Sequence, residues 1–177
     1  MQRAFYEASV SCYRQILDST ANVLKAGQDY ADSNGRSLDE IVQYRLHETM
    51  LPFSFQVISV WHHSYGAIKG MRDGVFSPPP SKPDIDYAGL CALVDEARSF
   101  MDEESPESMQ ALSGQNMLFK MGDMEIPFTT DNFLATFSKP NFYFHATTTY
   151  AALRAMGTPP GHMDDLGPMS IRPPLTQ

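Results

Sequence analysis

Residues 141–157 have the sequence NFYFHATTTYAALRAMG, and this stretch has the features of a helix. Pro140 precedes it and Gly157 ends it, a pattern typical of the first turn and the end of a helix. Five of its residues recur at spacings of three and four and therefore share one helix face: Phe142, His145, Thr149, Leu153 and Met156. That face is apolar except for a histidine and a threonine. Because a buried imidazole needs a hydrogen-bond partner, His145 is the first candidate for a functional residue.

The length and charge of the chain limit its class. With 177 residues it can bury a real core, and we predict a single domain over residues 1–177. Thirteen Lys and Arg against 21 Asp and Glu give a net charge of −8, which argues against nucleic acid and anionic membranes as partners. There is no apolar secretory core and no long uncharged apolar segment, and the two cysteines have no metal-like spacing. We therefore expect a cytoplasmic protein.

Apolar periodicity predicts three helices upstream, over residues 6–28, from about residue 37 to about residue 70, and over residues 86–101. The first should end in the turn Asp32-Ser33-Asn34-Gly35. The second begins at the capping box Ser37-Leu38-Asp39-Glu40 and is apolar on nearly every side, which indicates a central helix, kinked at Pro52. A polyproline-like connector over residues 77–83 leads into the third.

A change of period marks a small hairpin before the last helix. Residues 117–128 alternate in the manner of strands, with Gly122-Asp123 as a two-residue turn, and a short helical turn follows over residues 130–137. The tail, residues 158–177, lacks periodicity and should be irregular. Together these features predict an all-α protein: a four-helix bundle with a small β-hairpin before the last helix and an irregular C-terminal tail.

The residues resemble those of one family. The matching positions are Arg45-Leu46, Met50, Pro52, Gln56-Val57, Lys139-Pro140-Asn141-Phe142-Tyr143-Phe144-His145, Tyr150, Leu153-Arg154, Gly157, Gly161 and Asp164-Asp165-Leu166-Gly167. They are similar to the domain of unknown function nineteen-ninety-three family, a branch of the DinB-like four-helix bundles. The resemblance implies a DinB-like bundle, often dimeric, with a pocket among the helices. Some members of the wider superfamily are thiol-dependent transferases or isomerases.

The resemblance also bears on whether the chain has a metal site. In the wider superfamily one histidine from the second helix and an H-x-x-x-H pair from the fourth bind a divalent metal. Here His145 could match one ligand of the pair, but Thr149 stands in the second position. On the second helix His47 and His62 would lie about 22 Å apart, and His62 and His63 about 100° apart, so that at most one of the latter two faces the core. We therefore expect no cofactor, with a divalent metal as the open alternative.

The remaining chemistry centres on His145. As a general acid or base in a partly apolar pocket it would act with Gln56 and Tyr150 as catalytic partners. The other residues expected to line the substrate pocket are Tyr44, His47, Met50, Trp61, His63, Phe142 and Thr149. The alternative is a structural histidine that Gln56 or another neighbour satisfies. No serine-hydrolase, zinc-protease, phosphate-loop or C-x-x-C motif is present.

These observations predict a metal-independent enzyme that acts on a small hydrophobic molecule as an isomerase, dehydratase or cyclase. Fungal relatives make secondary metabolism a natural setting by analogy. Two alternatives remain. One is a non-catalytic ligand-binding module or a homodimerisation module, and a homodimer is expected in either case. The other is a metal-dependent DinB-like transferase.

Overall fold

Four long helices form the body of the protein in the computed structural model, which describes residues 4–169. The elements in the first part of the chain are helix α1 (Ala4–Tyr6, a π-helical turn at Glu7–Ser11, and Cys12–Asn34), helix α2 (Leu38–Gln43), helix α3 (Phe53–Trp61, a π-helical turn at His62–Gly66, and Ala67–Asp73), strand β1 (Val75–Phe76) and helix α4 (Tyr87–Glu103). They are followed by helix α5 (Pro106–Gln110), strands β2 (Asn116–Met121) and β3 (Met124–Thr129), helix α6 (Thr130–Phe133, a π-helical turn at Leu134–Ser138, and Lys139–Ala155) and helix α7 (His162–Leu166).

The four long helices pack in a closed ring. Helix α1 contacts α4, α4 contacts α3, α3 contacts α6, and α6 returns to α1. Each helix contributes large side chains to one core, among them the fully buried Tyr13, Phe53, Leu90 and Leu153. The predicted four-helix bundle is therefore confirmed, because each apolar stripe is buried against two neighbouring helices. Within residues 4–169, no helix has both the length and the apolar character needed to cross a membrane.

The predicted hairpin is present and carries one more strand. Strands β2 and β3 pair antiparallel, with Met121 opposite Met124 around the turn at Gly122. Strand β1 pairs in parallel with β2, placing Phe76 beside Phe119. A two-residue strand is too short to show a periodic pattern, so sequence periodicity does not predict it. Its role is to hold Phe76 against the histidines of α3.

The prediction of one continuous second helix was wrong. Helix α2 ends at Gln43, residues 44–52 form a loop, and α3 begins after Pro52. Pro52 has no backbone N–H and disfavours helical geometry in the residue before it, so it starts a helix here instead of kinking one. The backbone N–H of Phe53 donates to the carbonyl of Tyr44 at 2.8 Å, which closes the loop. Consequently Tyr44, His47 and Met50 lie outside α3.

The first and last helices are longer than predicted. Helix α1 continues to Asn34 and ends at Gly35, which adopts the left-handed conformation that glycine tolerates at a helix end. Helix α6 begins at Thr130, because Thr129 caps it by accepting from the backbone N–H of Asn132 at 3.3 Å. Pro140 follows directly on a π-helical turn, where the regular hydrogen-bond ladder is already interrupted.

The prediction of an irregular tail needs a correction in the part that the structure describes. Helix α7 packs on α1, where the Ser19 hydroxyl lies 2.6 Å from the carbonyl of Asp165 and the Gln15 side-chain amide donates to the carbonyl of Leu166 at 2.9 Å. Two polar side chains of α1 thus satisfy carbonyl groups of a segment without an apolar stripe. Residues 170–177 of the predicted tail lie outside the described residues.

Candidate functional site

The polar centre of the bundle is a hydrogen-bonded chain that runs from α6 to α3. The ring nitrogen Nδ1 of His145 lies 2.8 Å from Oε1 of Gln56, and the Gln56 amide nitrogen donates to the backbone carbonyl of Leu51 at 3.0 Å. A backbone carbonyl can only accept, so the amide nitrogen must face Leu51 and the amide oxygen must face His145. Nδ1 of His145 therefore carries the proton, and Nε2 presents a lone pair. The contacts fix one tautomer of the imidazole.

His145 is neutral at physiological pH. The side chain is half-buried, with the ring of Phe55 at 5.8 Å and the ring of the exposed Phe144 at 5.1 Å. This burial lowers the pKa of His145 to about 4, because the imidazolium form would lose its hydration and Gln56 is not an anion that could compensate for it. At pH 7 the ring is thus an uncharged hydrogen-bond acceptor at Nε2 and a potential base.

A second histidine stands beside the first. The rings of His63 and His145 are nearly parallel, with centroids 6.0 Å apart. His63 belongs to the π-helical turn of α3, and that turn overturns the prediction that only one of His62 and His63 faces inward. Both are buried, because a π-helical turn does not keep the 100° step per residue of an α-helix. Such turns occur frequently at functional sites.

The two histidines of the turn have different partners. His62 stacks on Phe76 at 4.4 Å, and its Nε2 lies 2.6 Å from the carbonyl of Ser77. His63 has Phe76 at 5.4 Å and Phe137 at 5.8 Å, and within residues 4–169 its buried Nδ1 has no hydrogen-bond partner. The pKa of His63 is lowered to about 3, mainly by burial and to a smaller extent by the neighbouring histidines His62 and His145. His63 is therefore a neutral ring with an unsatisfied polar atom.

The backbone of this turn is held by a second hydrogen-bonded chain. The hydroxyl of Ser138 in α6 donates to the carbonyl of His63 at 2.8 Å. Since Ser138 has one proton to donate, the hydroxyl of Tyr13 in α1 must donate to Ser138, at 2.9 Å. Burial raises the pKa of Tyr13, so this phenol stays protonated and keeps donating. Three helices thus fix the position of His63.

The donor set does not fit the three-histidine metal site that the resemblance implies. The position four residues after His145 holds Thr149, whose buried hydroxyl donates its proton to the carbonyl of His145 at 2.9 Å. In the described part of the chain no three His, Cys, Asp or Glu side chains are grouped so that they could hold an ion. Since the Ser77 carbonyl engages Nε2 of His62 and the Thr149 hydroxyl is engaged by a backbone carbonyl, His63 and His145 lack the further ligands that zinc or nickel requires.

The other residues predicted for the pocket lie away from the two histidines. Phe142 is fully buried in the core against the ring of Tyr13 at 4.9 Å, and Trp61 donates from Nε1 to Glu96 at 2.8 Å. His47 is exposed, with Nδ1 2.9 Å from the hydroxyl of Thr49. The remaining residues of the predicted set, Tyr44, Met50 and Tyr150, are half-buried, and among the described residues none has a ring contact or side-chain hydrogen bond to His145.

The structure adds residues that the sequence analysis did not assign to the site. Phe55, Phe76 and Phe137 surround the histidines with aromatic rings. The sequence carries a signal for Phe137, because the apolar periodicity of α6 can be extended through Pro140 to the turn before residue 141. Phe76 had no such signal, because strand pairing alone brings it to His62 and His63.

Comparisons with known proteins agree with this architecture. The model of the family described as Domain of unknown function (DUF1993) matches residues 5–166. Among solved structures, the chain is similar to the crystal structure of a DinB family member protein from Shewanella denitrificans, with a TM-score of 0.79 and 19% sequence identity over 98% of this chain and 97% of that chain. At this identity the similarity concerns the fold. The comparison with curated proteins gave no match.

Proposed function

The chain belongs to the DUF1993 family of DinB-like bundles, and on that premise we propose that it is an enzyme that moves protons on a small hydrophobic molecule, as an isomerase, lyase or cyclase, without a metal ion. In this proposal His145 is the base, Gln56 orients it, and the aromatic rings around His63 form the substrate side of the site. Secondary metabolism is the setting we propose for such a reaction.

The observation that supports the proposal is the fixed tautomer of His145. Its Nδ1 proton is held by Gln56, so the lone pair of Nε2 is the basic site of the ring. The lowered pKa keeps this lone pair free of a proton at neutral pH. Because Phe55 and Phe144 flank the ring, a substrate that reaches it would meet an apolar surface.

The arrangement suits proton transfer next to a carbonyl group. Nε2 would take a proton from the carbon adjacent to the carbonyl, leaving an enolate and an imidazolium, while the Nδ1 proton stays on the ring and remains hydrogen-bonded to Oε1 of Gln56. Return of the same proton to a different carbon completes an isomerisation. Its transfer to a departing hydroxyl, with release of water and formation of a double bond, completes a dehydration. Attack of the enolate carbon on an electrophile of the same molecule, followed by return of the proton to that group, closes a ring.

The test is a comparison of two proteins acting on one metabolite extract. Wild-type protein and a His145→Gln variant are incubated with the extract, and untargeted mass spectrometry follows substrates and products. We expect the wild type alone to convert a compound into an isomer or into a product that has lost one water. An exposed-histidine variant, His162→Gln, serves as the matched control and should retain the conversion. Equal conversion by the His145 variant would refute the proposal.

An exposed apolar strip on α6 supports a second candidate, a homodimerisation module. Tyr143 and Phe144 are 41% and 57% exposed, and with Leu46 they line a groove of about 500 Å³. No charged residue is part of this lining, which also includes Pro140, Thr147, Thr148 and Ala151. On a chain with a net charge of −8, an uncharged strip is the surface on which two copies can meet with the least repulsion.

The oligomeric state tests this candidate. Size-exclusion chromatography with light scattering should give a dimer for the wild type and a monomer for Phe144→Glu, since a buried unpaired carboxylate would face its own copy. The matched control Met163→Glu changes an equally exposed apolar residue on α7 and should leave the dimer intact. A monomeric wild type, or a dimer that Phe144→Glu leaves unchanged, would contradict the proposal that this strip is a dimer interface.

A further inference from the structure

A groove of about 340 Å³ lies between the start of α3 and the proline-rich segment at residues 79–83. Its lining is mostly apolar and comes from Leu51, Pro52, Phe55, Ile58, Pro79, Pro80 and Pro83. This volume lies at the lower end of the range for small-molecule sites, roughly 300–1,000 Å³. Neither His145 nor Gln56 lines the groove, so binding here does not depend on acid/base chemistry at His145.

The polar part of the groove is the first turn of α3. Pro52 occupies the N-cap position and provides no side-chain cap, but the backbone N–H groups of Phe53 and Phe55 already donate to the carbonyls of Tyr44 and Pro52, at 2.8 and 2.9 Å. Ser54 lies in this turn and is only 9% exposed. Its hydroxyl lines the groove and has no hydrogen-bond partner among residues 4–169. Its oxygen is not enclosed by the protein, so this hydroxyl is free to donate to a ligand atom in the groove.

A lysine supplies the only charge in the lining. Lys82 lies on the proline-rich side, with its ammonium nitrogen 5.4 Å from the centre of the Trp61 ring. Within the described residues Lys82 forms no ion pair, and Glu96 below the tryptophan is engaged by the indole N–H at 2.8 Å. The protein carries a net charge of −8, yet no carboxylate lines this groove. The groove is therefore a positive site on an acidic protein.

We propose that this groove binds a small carboxylic acid with an apolar body. The carboxylate meets the Lys82 ammonium and the Ser54 hydroxyl, and an ammonium is a donor that a carboxylate prefers. The apolar body, an aromatic ring or a branched chain, covers Leu51, Phe55 and Ile58. By contrast, the groove along α6 has no charged lining residue and lacks this selectivity for acids.

Trp61 is the single tryptophan of the chain, so its fluorescence reports on Lys82 directly. The experiment titrates the protein with 3-phenylpropionate at constant ionic strength and follows the Trp61 emission. The same titration with 3-phenylpropionamide, which has the same shape without the charge, measures the contribution of the carboxylate. Three variants are compared: Lys82→Met keeps the apolar stem, Ser54→Ala removes the hydroxyl, and Lys69→Met is the matched control, since Lys69 covers the Tyr65 ring at 5.2 Å outside the groove.

We expect saturable binding of the acid, at least tenfold weaker binding of the amide, and a similar loss for the acid with Lys82→Met. Ser54→Ala should weaken the acid three- to tenfold, and Lys69→Met should leave its affinity unchanged. Circular dichroism checks that each variant is folded. Because Lys82 is outside the core, Lys82→Met should fold like the wild type, and a loss of binding then reports on the missing charge. The proposal is overturned if the acid does not bind below about 10 mM, if acid and amide bind equally, or if Lys82→Met binds like the wild type.

Discussion

Replacing Gln56 with glutamate changes the partner of the His145 Nδ1 from a neutral amide to a carboxylate at the same distance. In the wild type these atoms lie 2.8 Å apart and burial lowers the pKa of His145 to about 4. Two unit charges about 4 Å apart attract by ~4 kcal/mol at an effective dielectric constant near 20, which corresponds to at most about three pKa units. The burial of the new carboxylate and solvent screening at the half-buried ring reduce this to about 1–2 units.

The assay is a pH titration followed by nuclear magnetic resonance of ¹⁵N-labelled histidine side chains. The wild type should show the Nδ1–H tautomer of His145 and a pKa near 4, and Gln56→Glu should raise the pKa to between ~5 and ~6. The variant should also be less stable at pH 7 by about 1–3 kcal/mol, because a carboxylate cannot donate to the carbonyl of Leu51.

A half-buried glutamine on α1 provides the control. Gln15 also donates from its side-chain amide to a backbone carbonyl, that of Leu166, at 2.9 Å. Gln15→Glu should therefore cost similar stability without changing the His145 titration. If the pKa of His145 stays within about half a unit of the wild-type value in Gln56→Glu, or is near 6.5 in the wild type, the reasoning from this hydrogen bond is refuted.

Three further predictions concern pH and packing. The pKa of His63 is lowered in the folded state, so the free energy of unfolding should fall by up to about 1.4 kcal/mol per pH unit as the pH drops from ~6.5 towards 3. Urea unfolding at pH 7 and pH 4 measures this fall. The fall should be smaller for His63→Phe and the same as in the wild type for the exposed His47→Phe. Gly66→Ala places a methyl group 2.7 Å from Nδ1 of His62 and should lower the free energy of unfolding by about 1–3 kcal/mol. The clash should also move the His62 ring away from the Ser77 carbonyl. A His62 side-chain nuclear magnetic resonance signal that does not shift would contradict this. Arg72→Met removes the guanidinium that lies 2.6 Å from both carboxylate oxygens of the buried Glu104. The free energy of unfolding measured by thermal denaturation should fall by about 2–4 kcal/mol, because an unpaired carboxylate stays buried. The double variant Arg72→Met with Glu104→Gln should recover part of this loss.

Part of the candidate site followed from the sequence. The periodicity of α6 placed His145 and Thr149 on the inner face, and Gln56 was named as a possible partner for His145 from its place on α3. The placement of His47 and Met50 on the same helix was wrong for one reason: Pro52 starts a helix instead of kinking one. A single proline is compatible with both outcomes in the sequence, and the contacts of residues 44–52 decided between them.

The all-α bundle and the hairpin could be predicted from the sequence, because the period of apolar residues is a local property of each helix or strand. The sequence also shows that Thr149 stands four residues after His145, where an H-x-x-x-H pair would require a second histidine. The contacts of the folded chain were needed to show that both His62 and His63 face inward and that His63 lies beside His145. These contacts join residues far apart in the chain, and they depend on a π-helical turn and a two-residue strand, neither of which leaves a periodic signal.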